Sequence, residues 1–151
     1  MNYYLSLHTW IAVAATLVVV MLCVGVHFEI LSSCNRYLRA WSHVRRRRVL
    51  ILILVILVAH TIEIWLFASG YYLLLHTMQI GDLAGLAPTA TFPDYVYFSA
   101  MVYTTVGFGD IVPIGAIRFL TGVEALTGLV MITWSASYTF LEMQRDWPGG
   151  R

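Results

Sequence analysis

Charged residues are scarce in this chain. Asp, Glu, Lys and Arg make up 11% of its 151 residues, whereas 60% are hydrophobic. A soluble domain of ordinary composition carries about 25% charged residues. The composition of this chain therefore excludes an ordinary soluble domain and predicts a membrane protein. Lysine is missing altogether, because all nine basic residues are arginine. The formal net charge of +1 gives no reason to expect a nucleic acid partner.

Cysteine and catalytic patterns are equally sparse. The two cysteines are Cys23, in an apolar run, and Cys34, in an arginine-rich loop. They form neither a metal-binding spacing nor a disulfide framework, so we expect free thiols. No nucleophile and base occur at an informative spacing. The sequence therefore predicts no enzyme, no cofactor and no small-molecule substrate.

Three long apolar runs predict membrane-spanning helices. They extend over Trp10–Ile30, Val49–Leu75 and Ile117–Leu141. About 20 residues in a helix cover a hydrocarbon core of about 30 Å. We expect the first run to be retained, because Met1–Trp10 lacks the basic residues of a cleaved signal peptide. The chain should be a multi-pass protein of the plasma (cell inner) membrane, in contact with lipid.

Six of the nine arginines fall between the first two apolar runs. They are Arg36, Arg39, Arg45, Arg46, Arg47 and Arg48. Short arginine-rich loops stay in the cytoplasm, so we expect the amino terminus outside and the carboxyl terminus in the cytoplasm. The four consecutive arginines lie at the edge of a span, which favours an orientation anchor over a voltage sensor.

The segment between the second and third spans contains a turn-rich stretch and then a helix too short to cross the membrane. Residues 76–91 contain Gly81, Gly85 and Pro88 and predict an external turret without chemistry. Pro93 and Asp94 suit the first turn of a helix. That helix continues to Tyr103, about three turns, so we expect it to enter from outside and turn back.

The motif Thr104-Thr105-Val106-Gly107-Phe108-Gly109-Asp110 follows this helix. Its two glycines allow backbone angles that ordinary residues avoid, so successive carbonyls can point the same way. Such carbonyls can replace the water around a cation. The motif resembles the signature of the potassium channels, in which four converging loops coordinate the ion in this manner.

The resemblance covers roughly Val49–Leu141, two spans with a pore loop between them, preceded here by an additional span. It implies an all-α membrane protein with three transmembrane helices, a re-entrant pore helix and a filter loop, assembled as a homotetramer. The corresponding divisions are an amino-terminal helix and loop (1–48), a pore domain (49–141) and a short cytoplasmic tail (142–151). The implied activity is passive, potassium-selective conduction with permeant potassium as the only bound ion.

The resemblance also implies roles for individual residues. The filter would be Thr105, Val106, Gly107, Phe108 and Gly109, with potassium coordinated at the first four, Asp110 at the outer mouth, a hinge at Gly128, and a cavity lined by Leu129, Ile132 and Ala136. Met101 stands where some relatives carry a glutamate that pairs with the aspartate of the motif, so we expect Asp110 to lack that partner. A weakly selective cation channel, or a non-conducting subunit of a larger channel, is the alternative.

Ionisable residues also occur inside the predicted spans. His60 and Glu63 lie on one face of the second span, where each costs roughly 3 kcal/mol unless it has a protein partner. By helical rise, Glu124 on the third span lies at nearly the same depth. We expect His60, Glu63 and Glu124 to form one polar cluster behind the pore helix, which either braces the fold or senses protons or metal. His27, near the end of the first run, is expected at the headgroups.

Overall fold

The computed structural model of the protein describes residues 7–40 and 45–146. Its elements in chain order are α1 (Leu7–Ala40), α2 (Arg45–Tyr72) with a π-helical turn (Leu73–Thr77), β1 (Asp82–Ala84), α3 (Phe92–Tyr103), β2 (Val112–Ile114) and α4 (Ile117–Asp146). The expectations for the first six residues, and for the last five of the tail, lie outside the described residues.

Three of the described helices are long and apolar enough to cross a membrane. These stretches are Leu7–Cys34, Arg47–Thr77 and Ile117–Gln144. The prediction of an all-α protein with three spans and a short helix between the last two is confirmed. Helix α1 continues beyond the expected end at Ile30, because Leu31 and Cys34 pack against Leu52 and Ile56 of α2.

Helix α3 is short and begins at a well-defined cap. Its 12 residues extend about 18 Å, well under the thickness of the hydrocarbon core. The carboxylate of Asp94 accepts hydrogen bonds from the backbone N–H and the hydroxyl of Thr91, at 2.6 and 3.1 Å. Pro93, in the first turn, has no N–H to satisfy. The cap therefore fixes where the chain turns into the membrane.

The main hydrophobic core is shared by the three long helices and α3. Its buried members include Ala12 and Cys23 from α1, Phe67 and Tyr71 from α2, Phe98 and Tyr103 from α3, and Leu120 and Met131 from α4. Helix α1 also approaches α2 at Gly70, where an added Cβ would lie 3.3 Å from Val19 Cγ2. Helix α1 is therefore packed into the same core as the elements of the pore domain.

The segment before α3, which the sequence predicts to be an external turret, contains a strand and close packing contacts. Strand β1 pairs with β2 in an antiparallel register that places Leu83 opposite Pro113. Gly85 has a φ of +92°, and a Cβ there would lie 2.0 Å from the carbonyl oxygen of Asp110. The turret therefore holds the chain that leaves the filter motif, which the turn residues alone did not reveal.

Gly128 lies where α4 touches the end of α3. An added Cβ would lie 2.0 Å from the carbonyl oxygen of Tyr103 and 3.0 Å from its Cγ. Close packing thus requires a glycine at this position, because any side chain would push α4 away from α3. Helix α4 passes through this position without interruption, and the hinge at Gly128 stays a prediction.

We expect Gly128→Ala to lower the stability of the purified protein by about 1–3 kcal/mol, the usual cost of overpacking. Gly25→Ala is the control, because a Cβ at that helical position meets no atom within 4 Å. Thermal unfolding in detergent, followed by circular dichroism, would measure both. Equal melting temperatures for the two variants would contradict the close approach of α4 to Tyr103.

Candidate functional site

The filter motif has an unusual backbone. The φ angle is positive at Thr105 (+60°), Gly107 (+53°) and Gly109 (+79°), and it is not positive at Val106 or Phe108. When φ alternates in sign along a segment, successive N–H groups turn to one side and the carbonyls to the other. This alternation of φ is compatible with the row of carbonyl oxygens expected from the two glycines, which stays a prediction.

Thr105 takes this conformation without being a glycine. A β-branched residue at positive φ is a genuine outlier, and such a conformation costs roughly 1–3 kcal/mol. The end of α3 holds it in place: the N–H of Thr105 donates to Val102 O at 2.9 Å and that of Gly107 to Met101 O at 3.1 Å. The strain is thus stored at the point where the helix passes into the motif.

The motif is open to its surroundings in a single chain. The side chains of Val106 and Phe108 are 54% and 70% exposed, and a Cβ added at Gly107 or Gly109 would meet nothing within 4 Å. In the described residues of one chain, both side chains are therefore free of protein over more than half of their surface.

Asp110, at the outer end of the motif, has a partner that the sequence analysis missed. The hydroxyl of Tyr97 donates to Asp110 Oδ2 at 2.8 Å. This hydrogen bond raises the pKa of Tyr97, so the hydroxyl keeps its proton and remains a donor. The expectation of an unpartnered Asp110 is corrected, because Tyr97 on the preceding helix takes the role that Met101 cannot.

Glu63 is the centre of a buried polar network that joins all four helices. Its Oε1 lies 2.7 Å from His27 Nδ1, and its Oε2 lies 3.0 Å from His60 Nδ1. The hydroxyl of Tyr103 donates to the same Oε2, and Ser135 Oγ lies 3.1 Å from His27 Nε2. We call these five residues the Glu63 network.

His27 therefore does not lie at the headgroups, as the sequence analysis expected. Its side chain is fully buried. The physical reason is that α1 continues to Ala40, which places His27 within the helix and not at its end. His60 and Glu63 are in contact as expected, and both His60 and Tyr103 lie against the same carboxylate oxygen.

Glu124 belongs to a second network. Its two oxygens accept hydrogen bonds at 2.5 Å from Tyr71 and from Ser99. The Tyr71 hydroxyl also lies 3.1 Å from Thr121 Oγ1. We call these four residues the Glu124 network. Within the described residues it shares no hydrogen-bonded side chain with Glu63, so the single cluster expected from depth divides into two.

Both networks hold the pore helix. Tyr103 and Ser99 lie four residues apart on α3, so they are on one face, and each bonds to a different buried carboxylate. A buried carboxylate requires such donors, because leaving it unpaired in a low-dielectric interior is costly. The sequence did contain a signal, the four-residue spacing of Ser99 and Tyr103. That spacing did not identify which helices supply the carboxylates.

The residues expected to line a cavity lie on an open face of α4. Leu129, Ile132 and Ala136 are all exposed in the single chain. Their spacing of three and four residues places them on one face of the helix. Lining of a cavity by this face stays a prediction.

The comparison with known families identifies the family to which most of the chain belongs. A family model described as "Ion channel" matches residues 49–145. The chain belongs to this ion channel family. The matched region contains the second and third spans, the pore helix and the filter motif, in agreement with the resemblance to the two-span, pore-loop potassium channels. The protein is accordingly a multi-pass membrane channel protein and not an enzyme.

Two curated relatives are similar to this ion channel over little more than half of its chain. One is the inward rectifier potassium channel Kirbac3.1 of Paramagnetospirillum magnetotacticum, 31% identical over 85 residues, 56% of this chain and 27% of the relative. The other is the uncharacterized membrane protein YdjJ of Bacillus subtilis, 34% identical over 88 residues, 55% of this chain and 26% of the relative. The matched stretch thus spans about a quarter of either relative. No solved structure matches the chain.

We expect Tyr97→Phe to destabilise the outer end of the channel's filter, because Asp110 loses a hydrogen-bond donor while the ring is retained. The fraction of time that single channels conduct should fall severalfold in planar bilayer recordings. Tyr95→Phe, two residues away on the same helix, leaves the contact intact and is the control. An unchanged conducting fraction in Tyr97→Phe would show that the contact does not support the filter.

Proposed function

We propose that the protein is a potassium-selective channel that conducts passively through a homotetrameric pore. The observation that carries this proposal is the alternation of φ along the motif, with positive values at Thr105, Gly107 and Gly109. A row of carbonyls can replace the hydration shell of a desolvated cation, as in the selectivity filters of potassium channels. In this chain the carbonyls of Thr105, Val106, Gly107 and Phe108 would coordinate the ion.

Helix α3 would assist the cation electrostatically. Its carboxyl end, at Tyr103, leads directly into the filter, and the last carbonyls of a helix carry a partial negative charge. The start of the helix is neutralised by Asp94, which bonds to the capping Thr91. A cation below the filter would therefore meet the negative end of α3.

The exposed filter motif of a single chain supports assembly as a tetramer. One loop cannot surround an ion, and rings of four carbonyls do so in the selectivity filters that this motif resembles. The exposure of Val106 and Phe108 supports neighbours at this point, and closed symmetry is the rule for homo-oligomers. Asp110 would then form a ring of carboxylates at the outer mouth. Gly128 would allow the inner helix α4 to bend.

We further propose a cavity beneath the filter and an orientation of the chain in the membrane. Leu129, Ile132 and Ala136 would line the cavity beneath the filter, since they share an open face of α4. The arginine-rich loop would face the cytoplasm of the cell's inner (plasma) membrane. The name of the Kirbac3.1 relative supports potassium as the ion, and residues 49–141 would form the pore domain.

Reconstituted protein tests the proposal directly. We expect liposomes containing it to pass potassium, with a reversal potential that follows the potassium gradient and not the sodium gradient. Gly107→Ala and Gly109→Ala should each abolish the flux while leaving insertion unchanged, because a methyl group opposes positive φ. Gly25→Ala, at an open helical position, is the matched control and should conduct normally.

The other outcomes separate the alternatives. Equal permeability to potassium and sodium would indicate a weakly selective cation channel. An intact tetramer without flux would indicate a non-conducting subunit, and normal potassium flux through Gly107→Ala would overturn the filter assignment.

Orientation has its own test. A reporter fused after Arg151 should lie in the cytoplasm and one placed before Tyr3 outside, because short arginine-rich loops remain cytoplasmic. Accessibility to a membrane-impermeant reagent, in intact and in opened cells, would measure both positions. Two ends on the same side would contradict the three-span topology in the membrane.

A further inference from the structure

We propose that His27, His60 and Glu63 form a binding site for a divalent transition-metal ion, of which zinc is the best match. The site lies between α1 and α2, beside the end of the pore helix. It goes beyond conduction, since the filter motif contributes nothing to it. The proposal rests on the placement of three ligand atoms, on the groups that orient them and on their chemistry.

The three ligand atoms converge closely. Glu63 Oε1 lies 2.7 Å from His27 Nδ1, Glu63 Oε2 lies 3.0 Å from His60 Nδ1, and one ligand atom from each residue lies within 4.8 Å of the others. Metal–ligand bonds of about 2.0–2.1 Å place the ligands of a tetrahedral zinc ion about 3.3 Å apart. The separations of 2.7 and 3.0 Å are slightly shorter than that value, so small outward rotations of the side chains suffice to receive an ion.

The surrounding hydroxyl groups suit the same purpose. Ser135 Oγ lies 3.1 Å from His27 Nε2, so it can accept the Nε2 proton and leave Nδ1 as the metal ligand. Such support of the second ring nitrogen is usual at metal sites. The hydroxyl oxygen of Tyr103 lies 3.0 Å from His60 Nδ1 and offers a fourth ligand atom beside the three proposed ones.

The donor set selects the kind of metal. Two imidazole nitrogens and one carboxylate oxygen suit zinc and similar transition metals, whereas calcium and magnesium require oxygen ligands. Permeant potassium is excluded for the same reason. Cys23 Sγ lies 3.9 Å from the backbone oxygen of Glu63 and so faces the main chain of α2, away from the carboxylate.

A bound ion would join elements that are far apart in sequence. His27 comes from α1, which precedes the region matched by the ion channel family, whereas His60 and Glu63 come from α2. Glu63 also bonds to Tyr103, the last residue of α3. The ion would therefore fasten the additional helix to the base of the filter.

Metal binding by the purified full chain tests this site without any measurement of conduction. After metal removal and titration with Co2+, we expect about one ion per chain and the intense visible absorption of a four-coordinate site. Zn2+ should displace the Co2+ and raise the melting temperature, because a ligand of the folded state stabilises it. The absence of both absorption and stabilisation in the wild-type protein would overturn the proposal.

Single variants assign the ligands. His27→Gln, His60→Gln and Glu63→Gln should each weaken Co2+ binding at least about tenfold, since even supporting groups contribute that much. Two control variants, His76→Gln at an exposed histidine and Cys23→Ser, should bind Co2+ as the wild type does. Undiminished binding in the first three variants, or loss in either control, would place the metal elsewhere and reject the site. Any of the three that fails to fold leaves the decision to the other two and to the wild-type absorption.

Discussion

The absence of water from the membrane interior is the constraint on which this structure depends. Backbone and side-chain polar groups at that depth must find partners within the protein. The pore helix ends there, and an irregular loop follows it. Two buried carboxylates, Glu63 and Glu124, meet this demand by accepting hydrogen bonds from Tyr103 and Ser99 of that helix. The short helix is thus held from α2 and from α4 at the same time.

The filter loop is restrained at both ends and open in the middle. At its start, the carbonyl of Tyr103 packs against Gly128, where a side chain has no room. At its end, Tyr97 bonds to Asp110, and strand β2 beyond it pairs with β1. Such double restraint allows a β-branched residue to persist at positive φ, a conformation that a free loop would relax.

Sequence reasoning succeeded where the signal was local. Hydropathy and length predicted the three spans, and Pro93 with Asp94 predicted the start of the pore helix, because these features depend on neighbouring residues. It failed where a contact depends on the rotation of each helix about its axis, or on pairing between residues distant in sequence. Helical rise placed Glu63 and Glu124 at similar depth, but rise gives no direction around the axis, and the two carboxylates found different partners. The Tyr97–Asp110 contact required knowledge of how the loop returns past α3.

The additional amino-terminal helix is best understood from the burial of His27. A helix that served only as an anchor would present apolar residues to its neighbours, since a buried imidazole needs a partner. Here the imidazole lies between a carboxylate of α2 and Ser135 of α4, and Ala12 and Cys23 enter the same core as the pore helix. Helix α1 lies outside the region matched by the family, yet it completes the polar network that holds the base of the filter. It is therefore part of the same packed unit as α2, α3 and α4.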